Sequence, residues 1–237
     1  MAIVQARMKS SRLPGKVMAP ILGRPILVHV LERVARAQLV DETVVATTVD
    51  QADDPVAALA DQHGWPVVRG QRDDVLDRYV QAARERDAGL IVRITSDCPL
   101  IDPEVIDAVI ASMGPDDDYA SNTLEPRTYP RGLDCEVITR SALEQAWRDD
   151  QDPSSREHVT PFIYRHPERF KLRRVANETD ESGHRWCVDV QEDLDLVRRI
   201  YDVVGSGRVS WTEVLEASKA HPEWRDLNSA VAQKTIG

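Results

Sequence analysis

QARMKSSRLPGK, Gln5 to Lys16, follows the apolar run Ala2 to Val4 and sets Arg7, Lys9, Arg12 and Lys16 in a stretch that contains no acid. The chain as a whole carries a formal net charge of −10, so this local excess of cations needs a local cause. A loop leaving a short strand can aim backbone N–H groups, the hydroxyls of Ser10 and Ser11 and long basic side chains at phosphate oxygens, and Gly15 lets the backbone approach closely. The spacing is not the GxxxxGK[ST] of the P-loop. On charge alone, a polyphosphate cradle and a solvated basic turn both stay open.

Outward from this loop the chain alternates between two periods. Pro25 can take the first helical position, and Ile26, Leu27, Val30, Leu31 and Val34 recur at helical spacing through about Ala37. Thr43 to Thr48 (TVVATT) reads as a buried strand, Asp54-Pro55 as the start of a helix that Gly64 stops, and Val67-Val68 as a further strand. Asp73 or Asp74 opens a helix carrying Val75, Leu76, Tyr79, Val80 and Ala83, and Leu90 to Thr95 (LIVRIT) is the next strand. This alternation predicts an α/β fold with a mainly parallel sheet. Asp97 then stands just past the carboxyl end of a strand, the edge where open parallel sheets bind ligands, before Asp102-Pro103 caps the following helix.

Beyond Gly114 the pattern is less regular. LDCEVI alternates as an antiparallel or edge strand would, Ser141 with Glu144 reads as a capping box, and Asp152-Pro153 starts a helix expected to run through EHVTPFIY. Lys171 to Val175 reads as a strand, and RWCVDV as a return to the sheet that ends at Asp189. Leu194, Val197, Ile200, Tyr201 and Val204 form one helix face closed by Gly205, Ser210 and Glu213 cap a last helix, and the tail from Asn228 reads as frayed.

With 237 residues, 42% hydrophobic and 30% charged, the chain can bury the core of one α/β domain. The acidic balance, with no basic stripe beyond the first loop, argues for a small anionic partner and against nucleic acid. The N-terminal stretch lacks the roughly 7–15-residue apolar core of a signal peptide, and no run approaches the roughly 20 apolar residues of a membrane span, which leads to the expectation of a cytoplasmic protein without membrane contact. Cys98, Cys135 and Cys187 show no CxxC spacing and fit reduced thiols, and the histidines show no HExxH.

ARMKSSRLPGK resembles the opening signature of the cytidylyltransferases that make CMP-activated sugars, close to ARxxSTRLPGK. The chain is similar along nearly its whole length to the spore-coat polysaccharide biosynthesis proteins of the cytidylyltransferase type. The resemblance is carried by QARMKSSRLPGKVM, VVATT, VVRGQRDDVLDRY, RITSDCPLIDP, YPRGLDCEVI, SREHVTPFIY and RWCVDVQEDLDL in order. Lys9 departs from that pattern, standing where a small residue, usually Gly, is expected; either the backbone there needs no positive φ, or Lys9 adds a phosphate contact. Ser96 replaces the Gly of GDxPLID, and Cys98 stands where 3-deoxy-manno-octulosonate cytidylyltransferases carry Glu, which counts against that substrate.

The resemblance implies a three-layer α/β/α nucleotide-diphospho-sugar transferase-like (Rossmann-like) fold in a single domain over 1–237. Residues 1–118 would form the nucleotide-binding half, 119–179 the acceptor-binding region, and 180–237 the return to the sheet with the C-terminal helices. It implies transfer of CMP from CTP to a sugar with loss of pyrophosphate, Mg²⁺ held by Asp97 and Asp189, and a homodimer. Arg12 and Lys16 would neutralise the β- and γ-phosphates. Gln5, Ala6, Arg7, Ser11, Gly15 and Asp97 would join them around the nucleotide. Arg69-Gly70 and DDVLDRY resemble the segment that reaches the base through the backbone and Asp77/Arg78, although the same residues also read as a helix N-terminus with Asp77 solvated. Arg131, Asp134, Glu136, Arg156, Glu157 and His158 would hold the acceptor. His158 reads either as a general base or as a satisfied structural group, and Arg93, a charge inside an apolar strand, as a buttress of the site or an inward Arg paired with a nearby acid. A sugar-nucleotide-dependent glycosyltransferase and a non-catalytic nucleotide-binding protein are the alternatives; the first usually carries a short DxD, which DCPLID is not.

Overall fold

The computed structural model describes residues 1–233. The elements in chain order are β1 (Ala2–Gln5), the short hairpin β2 (Pro20–Ile21) and β3 (Arg24–Pro25), α1 (Ile26–Val34), β4 (Thr43–Thr48), α2 (Asp54–Gln62), β5 (Val67–Gly70), α3 (Val75–Glu85), β6 (Leu90–Thr95) and α4 (Pro103–Ala111). There follow β7 (Tyr119–Ser121), β8 (Glu136–Thr139), α5 (Arg140–Asp149), α6 (Pro153–His158), α7 (Pro161–Tyr164), β9 (Leu172–Arg174), α8 (Gln191–Val204), α9 (Trp211–Ala220) and α10 (Trp224–Asn228).

Seven strands form one sheet in the order β5-β4-β1-β6-β8-β7-β9. The β5-β4-β1-β6 half is parallel, whereas β8 runs antiparallel to both β6 and β7. The chain steps outward from β1 to β4 and β5, then crosses back to place β6 on the other side of β1. That reversal opens a crevice at the carboxyl ends of β1 and β6. The loop after Gln5 and the turn after Thr95 both open onto it.

Alternation along β1 sends Ala2 and Val4 into the apolar layer beneath α1, α4, α8 and α9, and Ile3 into the layer beneath α3 and α5. Helix α1, nine residues long, is too short to hold by itself in water; burying Leu27, Val30, Leu31 and Val34 against the sheet stabilises it. Asp74 caps α3 by accepting from Asp77 N, Asp102 caps α4 by accepting from Glu104 N, and Ser210 with Glu213 closes a capping box on α9.

Four local expectations are corrected. The cap of α5 is Thr139, which accepts from Ala142 N, because β8 turns directly into the helix two residues before Ser141. The helix begun at Asp152 does not run through to Tyr164: Val159 has φ 71° and Pro161 restarts the chain as α7. The segment RWCVDV is not a sheet strand. It lies extended, makes one bridge between Arg185 and Arg131, and donates Val188 N to Asp97 O at 2.8 Å. Asn228 is buried rather than frayed, since its amide donates to Arg185 O and to Asp193 Oδ1; the last four residues of the tail lie outside the described residues.

Gly132 fixes where that extended segment sits. Its φ of 104° is open to glycine alone, and a Cβ there would lie 2.7 Å from the backbone carbon of Trp186 and 2.8 Å from Cys187 N. Gly132→Ala is expected to destabilise the protein by about 2–4 kcal/mol, since it combines a forbidden φ with a backbone clash. A melting temperature lowered by roughly 5–15 °C would show it, and an unchanged one would mean that the segment is free to shift.

Candidate active site

A cavity of about 240 Å³ sits at the crevice between β1 and β6. Gln5, Ala6, Arg7, Ser11, Arg12, Lys16, Asp97, Glu157, His158 and Asp189 line it, although they come from opposite ends of the chain. The loop is folded back on itself: Gly15, at φ 72°, donates its N–H to Met8 O at 2.8 Å, a turn that glycine enters without strain. From the other side the buried carboxylate of Asp53 accepts from Met8 N at 2.6 Å and from Thr48 Oγ1. Asp53 thus pins the loop, which explains why it does not act as a side-chain cap of α2.

At the floor of the cavity, Lys16 Nζ lies 2.8 Å from Asp97 Oδ2, from Asp189 Oδ1 and from Val188 O. The two carboxylates therefore stand within twice that distance of each other, aimed at one point. Asp189 Oδ2 is in turn 3.0 Å from Arg12 Nη2 and 3.1 Å from Arg185 Nη2. Arg185 is held by a two-pronged contact to Asp193, whose carboxylate also accepts from Asp189 N and Asn228 Nδ2. Asp189 reaches the site through this network and through the Val188–Asp97 backbone bond, without being the end of a sheet strand.

Burial alone would push the Asp97 carboxyl up, but the Lys16 ammonium overrides it and holds its pKa down at about 2. Burial opposes the ammonium of Lys16 in the same way, and the two carboxylates raise its pKa nonetheless. Asp97 is thus an anion throughout the working pH range and unsuited to proton transfer. Because its folded pKa lies below the unfolded value of about 3.9, the stability it confers is complete above that pH and is lost as pH falls towards 2. Acid titration of folding should show a shallower loss in that window for Asp97→Asn than for the parent protein; identical acid limbs would contradict the pairing with Lys16.

The donor set suits a hard divalent cation. Two carboxylates and a carbonyl oxygen converge on the position that the Lys16 ammonium takes here, so a divalent cation would bind with Lys16 turned aside, and the neighbouring thiol of Cys98, 3.6 Å from Asp97 Oδ1, is pushed well up by burial and so stays protonated. No group of three or more His, Cys, Asp or Glu that could hold a metal occurs among the described residues. Asp97 and Asp189 would supply two ligands and leave the remainder to phosphate and water, the usual arrangement for Mg²⁺.

Several expected site residues lie elsewhere. The guanidinium of Arg69 is occupied by Thr48 O, Asp50 O and Asp54 Oδ1, away from the cavity. Gly70 is small for a packing reason: its Cβ would meet Arg78 Cγ at 2.7 Å. Asp77 is half-buried, accepts from Trp147 Nε1 at 2.8 Å and does not line this cavity. Arg156 is a structural clamp that binds Asp74 Oδ2, Trp147 O and Asp150 O. Glu157 pairs with Arg7 at 2.7 Å and lines the first cavity rather than the acceptor side.

Arg131, Asp134, Glu136 and His158 do come together, around a second cavity of about 620 Å³. Within it, Asp134 is paired with Arg127 yet 35% exposed, whereas Glu136 is buried and satisfied by Arg93, Tyr119 and Thr160, so of the two carboxylates only Asp134 is open to an acceptor hydroxyl. The reading of the sequence missed Thr95 and Ser96 as lining residues, while Lys9, one of whose two readings was a phosphate contact, does line the cavity. Thr95 was legible as the same-face partner of Arg93 on β6. Lys9 has no positive φ, which answers why the loop needs no glycine there.

The family model for cytidylyltransferases matches residues 1–220. The chain belongs to the cytidylyltransferase family. This cytidylyltransferase is a CTP-dependent nucleotidyltransferase. It is 30% identical over 232 residues to the spore coat polysaccharide biosynthesis protein SpsF of Bacillus subtilis, covering 93% of this chain and 94% of that one. It is 37% identical over 200 residues to a 3-deoxy-manno-octulosonate cytidylyltransferase of Geobacter metallireducens, covering 74% and 78%. The solved structure of a cytidylyltransferase from Leptospira borgpetersenii superposes with a TM-score of 0.90 at 32% identity, over 100% of this chain and 98% of that one. The cytidylyltransferase has the nucleotide-sugar transferase-like fold, with a mostly parallel central sheet. Its helices, among the described residues, include none long and apolar enough to cross a membrane.

Proposed function

We propose that this cytidylyltransferase transfers CMP from CTP to a hydroxyl of a sugar or acidic sugar, releasing pyrophosphate, in surface polysaccharide or glycoconjugate biosynthesis. The observation that carries the reading is the convergence of Asp97, Asp189 and Lys16 on one point beneath a cationic loop, in a cavity that shares walls with a second one. In this reading Arg12 and Lys16 exchange their contacts with Asp97 and Asp189 for the charge of the β- and γ-phosphates, and Arg7, Lys9 and Ser11, which line the same cavity, complete the cradle. The second cavity is the place for the acceptor. Its oxygen bonds to the α-phosphorus as the bond from α-phosphorus to the β-bridging oxygen breaks; the hydroxyl proton passes to solvent, and pyrophosphate leaves.

No protein nucleophile is required, so the work of the chain is to position two reactants and to balance charge. Mg²⁺, when held by Asp97 and Asp189, supplies Lewis-acid polarisation of phosphate oxygens. The same reading includes a cytoplasmic homodimer with no nucleic-acid partner, and the SpsF relationship supports the biosynthetic context.

The test is incubation with each of the four nucleoside triphosphates, Mg²⁺ and a panel of acidic sugars, deoxy sugars and sugar phosphates, with pyrophosphate release and product mass as readouts. A CMP-linked sugar formed from CTP alone is expected. Pyrophosphate release with no nucleotide-linked product, or equal use of all four triphosphates, would overturn the reading.

A further inference from the structure

Arg93 stands in the middle of the sheet, opposite Ile3 on β1 and Glu136 on β8. It is one of three residues, with Thr95 and His158, that line both cavities. Its Nη1 donates to Glu136 Oε2. The other oxygen of Glu136 accepts from Tyr119 OH at 2.6 Å and from Thr160 Oγ1 at 2.8 Å, so the carboxylate cannot swing and the guanidinium is held in one orientation. The Arg93 side chain is 13% exposed, and its Nε has no hydrogen-bond partner among the described residues.

A buried ion pair between two strands is a poor stabilising device: removing two charges from water costs several kcal/mol, and apolar residues of similar volume often pack as well or better. The other buried positions of β6 are filled that way, by Ile91, Val92 and Ile94. A pair kept at a strand position that faces both cavities therefore calls for a reason outside folding. The position supplies one. The α-phosphorus is the atom at which nucleotide and acceptor meet, so it must lie where the two cavities join, and a fixed planar cation there is suited to a non-bridging phosphoryl oxygen whose charge grows during transfer.

We propose that Arg93 is a catalytic residue that donates a hydrogen bond to a non-bridging oxygen of the transferring α-phosphoryl group, with Glu136 as its positioning residue. The assignment rests on the nucleotidyl-transfer reading above. Arg93 moves no proton and forms no covalent bond; it remains a cation while the acceptor oxygen–phosphorus bond forms and the bond to pyrophosphate breaks.

The test uses α,β-methylene CTP with Mg²⁺, an analogue that binds without reacting, followed by ³¹P NMR. Arg93→Met alone would leave Glu136 buried and unpaired and could unfold the protein, so the informative variant is the double Arg93→Met/Glu136→Met, with its melting temperature measured alongside. In the parent protein all three phosphorus resonances should shift on binding. In the double variant the α resonance should return towards its free position while the β and γ resonances keep their bound positions, and Arg93→Lys should give an intermediate α shift. With the acceptor that the sugar panel returns, turnover should fall by about 100-fold or more at a nearly unchanged KM for CTP.

An α resonance in the folded double variant that coincides with the parent's, or turnover within about threefold of it, would overturn the assignment to Arg93 and leave the nucleotide site standing. Failure of the parent protein to bind the analogue at all would instead remove the nucleotide reading, and this assignment with it.

Discussion

Asp97→Asn and Asp189→Asn should each leave the protein folded and lower turnover by about 1,000-fold, and the double variant should be little worse than either alone. The carboxamide matches the carboxylate in volume and can still accept from Lys16 Nζ, so the 2.8 Å contacts that organise the floor survive while the charge that holds a divalent cation is lost. Because both carboxylates aim at one point, removing the second takes away little that the first has not already removed. Steady-state rates with CTP and the acceptor check this. Full activity in either single variant would separate the carboxylates from the reaction, and a double variant showing the product of the two single effects would mean that they act independently.

The second large effect falls on the loop. Arg12→Glu should reduce CTP affinity by about 100-fold or more, since it replaces a charge-assisted contact with a repulsion against the same oxygens, while altering the fold little because Arg12 is about one-third exposed. Arg12→Lys keeps the charge and loses the planar fork, so a loss of about tenfold is expected if the guanidinium grips phosphate with two N–H groups. Calorimetric titration with CTP and Mg²⁺ reads both. An unchanged affinity in folded Arg12→Glu protein would mean that the cationic loop is a solvated turn after all.

Much of the local structure was legible because its causes are local. The β-branched runs of β4 and β6, the apolar face of α8 closed by Gly205, and the caps Asp74, Asp102 and Ser210 each depend on residues within a turn or two of one another. Partnerships between distant elements were not legible. Asp77 and Arg156 carry the charges expected of a binding site, yet their partners are Trp147 and Asp74, some 70 and 82 positions away, and nothing in the spacing announces that these side chains are already spent. The partners of Arg69 were hidden in the same way, its three acceptors lying between the last residue of β4 and the first of α2.

The sequence by itself determined that the chain forms a mainly parallel α/β sheet, that a cationic loop follows the first strand, and that Asp97 stands at the carboxyl edge of a strand beside it. Periodicity, caps and the position of one acid past one strand are properties of short stretches. Only the tertiary structure decided how Asp189 arrives: on an extended segment outside the sheet, set down against Gly132, tied to Asp97 through Val188 and braced by Arg185, Asp193 and Asn228. It also decided that Arg93 and Glu136 meet across two antiparallel strands at the junction of the two cavities. The physical reason is common to both: which charges share a low-dielectric site is fixed by strand order and register, and those follow from the burial of the whole core rather than from any stretch within it.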